Sequence, residues 1–243
     1  MNADNKKLGQ FVALGHKALG IDVEDVRSLI ELARHVFRIS SIETGVAPSV
    51  VTALLTKFTD AGRRSPPTAA FSKLVPGRPQ SGADGNREKR WRLEVGHKFY
   101  AEEIPATLVE VKYILETLSM TGAPVFPPQT IQSAFTWLTG QPVEPGTFRD
   151  PIQLIPISFH DFCADRRLIQ SGHIYPLDRG GRHEPANAFL MLARSNQLQG
   201  NNTLPEMIDL MRHIVQRHNA APNYVETITP AAETIAGEQV TNP

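Results

Sequence analysis

Residues 167–200 of this 243-residue chain read RLIQSGHIYPLDRGGRHEPANAFLMLARSNQLQG. Leu168 to Tyr175 has the composition of a short strand, and residues 176–185 form a polar turn with a Gly-Gly pair. Ala188 to Leu192 reads as a second strand, and the helix that follows it ends at Gly200. Two short strands and a helix in this order predict that three polar side chains meet: His173, Asn187 and Asn196.

The order and spacing of these residues resemble the HNH nucleases, also called ββα-metal nucleases. His173 lies within His-Ile-Tyr-Pro, Gly180-Gly181 forms the turn, and Asn187 and Asn196 occupy the two later motif positions. Asn187 lies fourteen positions after His173, and Asn196 lies nine positions after Asn187. The resemblance covers about a seventh of the chain, and it implies a ββα-metal fold and hydrolysis of DNA phosphodiester bonds.

The resemblance also implies a role for each matched residue. His173 would be the general base, since a neutral imidazole near pH 7 can activate water. Asn187 would complete the catalytic set by holding the turn, and Asn196 would bind the metal, Mg²⁺ or Mn²⁺. Three arginines are candidates for phosphate contacts, although a solvated surface role is equally compatible with each: Arg179, Arg182 and Arg194.

Two departures from the family pattern stand out. Gly172 occupies the place of the usual metal-binding aspartate, which resembles the branch of the fold with an Arg-Gly-His core and leaves Asn196 as the chief protein ligand. The cysteine pairs that hold zinc beneath many HNH motifs are missing, because Cys163 is the single cysteine. We therefore expect the motif to be braced by ordinary packing. Four other histidines are expected at the surface: His160, His183, His213 and His218.

The predicted fold class is α+β, with a mainly helical N-terminal and middle region and a C-terminal ββα-metal (HNH) unit. Apolar spacing predicts helices over residues 48–60, 105–120 and 129–138. The expected organisation is a helical N-terminal region (1–61), a basic Pro/Gly-rich linker or loop (62–95), a helical middle region (96–150), the HNH nuclease unit (151–220) and a disordered tail (221–243).

Charge and spacing point to DNA as the partner. The net charge is zero, yet residues 63–92 carry eight basic and two acidic residues, which leaves +6 there and −6 elsewhere. A local basic cluster attracts a phosphate backbone whatever the total, although a solvated linker has the same composition. Ser41, Gly45 and Val51 have helix-turn-helix spacing, which two packed helices with a glycine turn also produce.

The composition is that of a cytoplasmic globular protein. Hydrophobic residues make up 41% and charged residues 21% of the chain, no apolar run is long enough for a bilayer, and the N-terminus lacks the order of a secretory signal. These features predict no membrane partner. A homodimer is compatible with the sequence.

The sequence therefore favours a Mg²⁺-dependent endonuclease of the restriction type, in which the long N-terminal part selects the target. Two alternatives stay open. One is a non-catalytic DNA-binding protein that retains a degenerate HNH scaffold. The other is an interaction or regulatory protein whose N-terminal helices carry the function.

Overall fold

A computed structural model of the protein describes residues 23–63, 95–96, 100–125 and 142–221. The predicted helix over 129–138, nearly all of the basic linker and nearly all of the tail lie outside these residues. The chain divides into two compact units, residues 1–201 and 202–243. In the described part of the chain, no helix has the length and apolarity that a membrane span requires.

Three helices form the greater part of the core of the first unit. Helix α1 spans Val23–Glu43, α2 spans Pro48–Gly62 and α3 spans Glu103–Leu118. Every residue of α3 from 106 to 118 is buried, including the charged Glu110, Lys112 and Glu116, which therefore need partners inside the protein. The helix predicted over 105–120 is thus present and is the centre of the unit.

Helices α1 and α2 are joined by a tight turn at Gly45, whose φ of 88° favours glycine. Ser41 and Val51 on either side of the turn are buried, and Phe37 of α1 meets Phe58 of α2 edge to face at 5.8 Å. These contacts explain the helix-turn-helix spacing as close packing of two helices. Reading of DNA by this pair stays a prediction.

The remainder of the first unit contains the only strands of the described residues. Helix α4 spans Phe159–Ala164, strand β1 Ile169–His173, strand β2 Ala188–Leu192 and helix α5 Ala193–Gln199. The strands pair antiparallel, with Ile169 opposite Leu192 and His173 opposite Ala188. The predicted mixture of helices and a small antiparallel sheet is confirmed, and the helix after β2 ends at Gly200 as expected.

The second unit contains helix α6, which spans Leu204–Ala220. Proline follows in the first turn, and the Thr203 backbone N–H donates to the Glu206 carboxylate at 2.9 Å. This contact satisfies one backbone donor at the helix start and places a negative charge at the positive end of the helix dipole.

Candidate active site

The outer edge of strand β1 is covered by side-chain donors. Lys57 of α2 donates to the carbonyl of Ile169 at 2.6 Å, and Gln199 of α5 donates to the carbonyls of His173 and Ile174, both at 2.9 Å. Gln199 is only 2% exposed. The end of β1, where His173 lies, is therefore fixed by the helix that follows the hairpin.

The outer edge of strand β2 is covered by acceptors. Its alternate backbone N–H groups donate to the carbonyl of Glu184, to the buried carboxylate of Glu116 on α3 and to the buried carboxylate of Asp150, at 2.8–2.9 Å. A two-stranded hairpin alone is marginally stable in water. Here carboxylates and a lysine supply the hydrogen bonds that neighbouring strands would supply in a larger sheet.

Asp150 also joins the hairpin to helix α5. Its carboxylate accepts from the backbone N–H groups of Ile152 and Gln153 and from the hydroxyl of Ser195, in addition to the β2 amide. Ser195 is completely buried. A fully hydrogen-bonded carboxylate therefore braces this unit.

The turn between the strands is held by Asn187. Its side-chain oxygen accepts from the backbone N–H of Tyr175 at 2.7 Å, and its amide donates to the carbonyls of Tyr175 and Arg182 at 2.9 Å. Gly180 has a φ of 88°, and a Cβ on Gly181 would collide with the backbone of Tyr175. These contacts hold the turn, and the part that Asn187 plays in catalysis stays a prediction.

His173 lies at the end of β1 in contact with a second histidine. Its Nε2 is 2.9 Å from Nδ1 of His183, and Nε2 of His183 is 2.6 Å from the carbonyl oxygen of Gly62. The expectation that His183 lies at the surface is wrong, because its side chain is packed against the C-terminal end of α2 and is 2% exposed. The sequence holds no local signal for this contact, which joins residues 121 positions apart.

Gly62 is required by close packing against α3. A Cβ there would lie 2.7–2.9 Å from the Cβ, Cα and N atoms of Glu110, and two of those atoms belong to backbone that cannot yield. The buried Glu110 carboxylate is paired with Arg34 of α1 and with Arg63, which directly follows α2. Both α1 and the end of α2 are therefore tied to α3. The carbonyl that contacts His183 is thereby held by the helical core.

Asn196 lies on α5 beside Gly172. Its amide nitrogen donates to Gln170 at 2.9 Å, which turns its oxygen toward the strand, and a Cβ on Gly172 would lie 3.1 Å from that oxygen. Side-chain oxygen is the donor that Mg²⁺ prefers, and Mg²⁺ retains several waters, so the donor type fits a hydrated ion. The described residues include no cluster of three or more His, Cys, Asp or Glu side chains that could hold a metal.

Gly172 has ordinary strand backbone, and the space for a side chain there is limited by the end of Met191. The Sδ and Cε atoms of Met191 occupy the space beside it, because a Cβ on Gly172 would lie 2.6 Å from both. Met191 is completely buried. Gly172 is therefore covered by the thioether of Met191 from the neighbouring strand.

A buried charged pair on α3 supports the second half of the hairpin. Lys112 donates to the carbonyl of Pro185 at 2.6 Å, lies over the ring of Phe189 and is 3.6 Å from the Glu116 carboxylate. Burial raises the pKa of Glu116 to about 7 and lowers the pKa of Lys112, with each partly offset by the other. The contacts of Lys112, Glu116 and Glu110 with other parts of the chain were not predicted from the sequence.

The three arginines proposed for phosphate contacts are exposed. Arg179 lies in the one-turn helix Leu177–Arg179, and Arg182 follows the Gly-Gly pair. Arg194 begins α5 and donates to the side chain of Gln153 at 2.7 Å. Phosphate binding by any of them stays a prediction.

Comparison with known proteins gives a likeness to solved structures. No protein-family profile matches the chain, and no curated protein matches it. Among solved structures, one described as "Crystal structure of a type II restriction endonuclease" is similar with a TM-score of 0.50 and 18% sequence identity, over 76% of this chain and 82% of that chain. At this identity the likeness is one of fold. It extends well beyond residues 167–200, which carry the motif.

Proposed function

We propose that this chain is a restriction-type endonuclease that hydrolyses DNA phosphodiester bonds with Mg²⁺ or Mn²⁺ at an HNH site. The observation that carries the proposal is the strand, turn, strand and helix of residues 169–199, which positions His173, Asn187 and Asn196 within one braced unit. The fold likeness to a type II restriction endonuclease supports it independently of the motif.

In the proposed reaction, His173 takes a proton from the water that attacks phosphorus. The bond from phosphorus to the 3′ oxygen breaks and the departing oxygen takes a proton from solvent, which leaves a 5′ phosphate and a 3′ hydroxyl. General-base assistance of this kind is typically worth about a hundred- to ten-thousand-fold in rate. Asn187 and Gln199 contribute by holding the backbone at His173 and in the two residues after it, which keeps the base in place before the reaction begins.

The metal would be held by Asn196, and the remaining positions would be taken by water and substrate oxygens. When bound, the ion would stabilise negative charge on the phosphate and on the departing oxygen. The exposed Arg179, Arg182 and Arg194 are proposed to contact the DNA backbone, which positions a duplex without reading its sequence.

The test is incubation of modified and unmodified plasmid DNA with the protein and Mg²⁺ or Mn²⁺, beside two variants. His173→Ala should lose nearly all cleavage while it still folds and binds DNA. His160→Ala is the matched control, because His160 is an exposed histidine of α4. Discrete fragments would support target selection, and a His173→Ala rate above about a tenth of wild type would exclude His173 as the base.

Absence of cleavage with either metal, combined with specific binding of duplex DNA, would instead favour the alternative of a non-catalytic DNA-binding protein. The choice of modified and unmodified substrates matters, because a restriction-type enzyme discriminates between them. Binding should be measured at several salt concentrations, since phosphate contacts make affinity fall steeply with salt.

A further inference from the structure

We propose that His183 is a positioning residue that holds His173 through a relay anchored on the carbonyl of Gly62. The relay rests on the proposed function for its catalytic meaning, and its geometry can be tested separately. It consists of two contacts, 2.9 Å between the two imidazoles and 2.6 Å between His183 and Gly62.

The carbonyl sets the direction of both hydrogen bonds. A carbonyl oxygen can only accept, so Nε2 of His183 must carry the hydrogen. In a neutral imidazole the other nitrogen is then an acceptor, which makes Nδ1 of His183 the acceptor for His173. Nε2 of His173 therefore carries its hydrogen, and Nδ1 of His173 is the nitrogen with the lone pair.

Burial keeps His183 in this form. The side chain is 2% exposed, and a second proton on its Nδ1 would face the N–H of His173 and place a charge in a buried position. The geometry thus accommodates one added proton on the pair, and that proton belongs on Nδ1 of His173.

The relay also responds to the reaction. When His173 accepts the proton of the attacking water at Nδ1, its ring becomes an imidazolium and its Nε2–H becomes a charged donor. A charge-assisted hydrogen bond is roughly twice as strong as a neutral one, so His183 stabilises the form of His173 that arises during catalysis. The partner imidazole stays neutral throughout.

Two variants at position 183 separate positioning from packing. His183→Asn retains an amide oxygen at roughly the place of the ring Nδ1, whereas His183→Ala removes the acceptor. We expect His183→Ala to lower kcat about 10- to 100-fold with little change in DNA affinity, and His183→Asn to recover a large part of that loss. An undiminished kcat in His183→Ala, or no recovery in His183→Asn with a wild-type melting temperature, would overturn the proposal.

Long-range ¹H–¹⁵N NMR of the wild-type protein with ring-labelled histidine gives a readout that does not depend on cleavage. Above the pH at which the rings titrate, both His173 and His183 should be protonated at Nε2 only. Their signals are assigned by loss in His173→Ala and His183→Ala. A proton on Nδ1 of either ring would overturn the relay, whether or not the protein cleaves DNA, while absence of cleavage with the expected tautomers would count against the proposed function alone.

Discussion

Replacing Gly172 with aspartate tests the packing and the metal site at once. HNH nucleases, which the motif resembles, usually have an aspartate at this place. A Cβ there would lie 2.6 Å from Sδ and Cε of Met191. Non-bonded carbon atoms prefer about 3.5–4.0 Å, so the end of Met191 would have to retreat by roughly 1 Å. The Met191 side chain is flexible, but it is fully buried. Its end can therefore move only by displacing the side chains packed around it.

The expected cost follows from overpacking. Extra atoms in a well-packed core cost about 1–3 kcal/mol, and for a chain of this size 1 kcal/mol lowers the melting temperature by about 2–4 °C. Gly172→Asp should therefore melt roughly 2–12 °C below the wild type in EDTA. Gly172→Asn is the matched control, since it adds nearly the same volume without the charge and should lose a similar amount.

The two variants should part when metal is added. The Cβ of the new side chain would lie 3.1 Å from the Asn196 oxygen, which brings its carboxylate close to that oxygen. Gly172→Asp should therefore bind Mg²⁺ more tightly than the wild type, while Gly172→Asn should not. Thermal melts and calorimetric titration measure both effects. Wild-type melting of both variants in EDTA would refute the packing argument, and identical Mg²⁺ titrations of the two would refute the placement of the metal.

Two further changes have equally direct readouts. Asn196→Ala should shift cleavage to much higher Mg²⁺ concentrations, while the exposed Gln197→Ala should not; an unchanged titration in Asn196→Ala would place the ion elsewhere, at Asp178 or Asp165 for example. Glu116 has a folded-state pKa of about 7, above its usual 4.5, so its ionisation in the unfolded chain subtracts stability as pH rises from about 4.5 to about 7. Wild type should lose up to about 3 kcal/mol relative to Glu116→Gln across that window, and parallel stability curves from pH 4.5 to 7.5 would show that burial does not perturb this carboxyl.

The hairpin and its helix could be predicted because their signals are local. Gly180-Gly181 marks the turn, apolar runs mark both strands, and Gly200 marks the end of α5. The expected strand over 168–175 is shorter in the structure, Ile169–His173, because Gln199 and Asn187 take over the backbone groups after it. Strand ends depend on such side chains, which strand patterns do not include.

The supports of the hairpin could not be predicted because they come from distant parts of the chain. His183 lies in a polar turn and reads as a surface residue; its burial depends on Gly62. One signal was present in α3, where Glu110, Lys112 and Glu116 lie among apolar residues. Because the helix is buried along this stretch, those charges need partners.

The covering of both hairpin edges has a consequence for self-association. An exposed strand edge is a template on which a second chain can add a strand, and such addition leads to domain swapping or aggregation. On β2 the alternate N–H groups are already bonded to Glu184, Glu116 and Asp150, and on β1 Lys57 places a positive charge at the edge. Backbone groups on both edges of this two-stranded sheet are thus already hydrogen-bonded, which disfavours the addition of a strand from a second chain there.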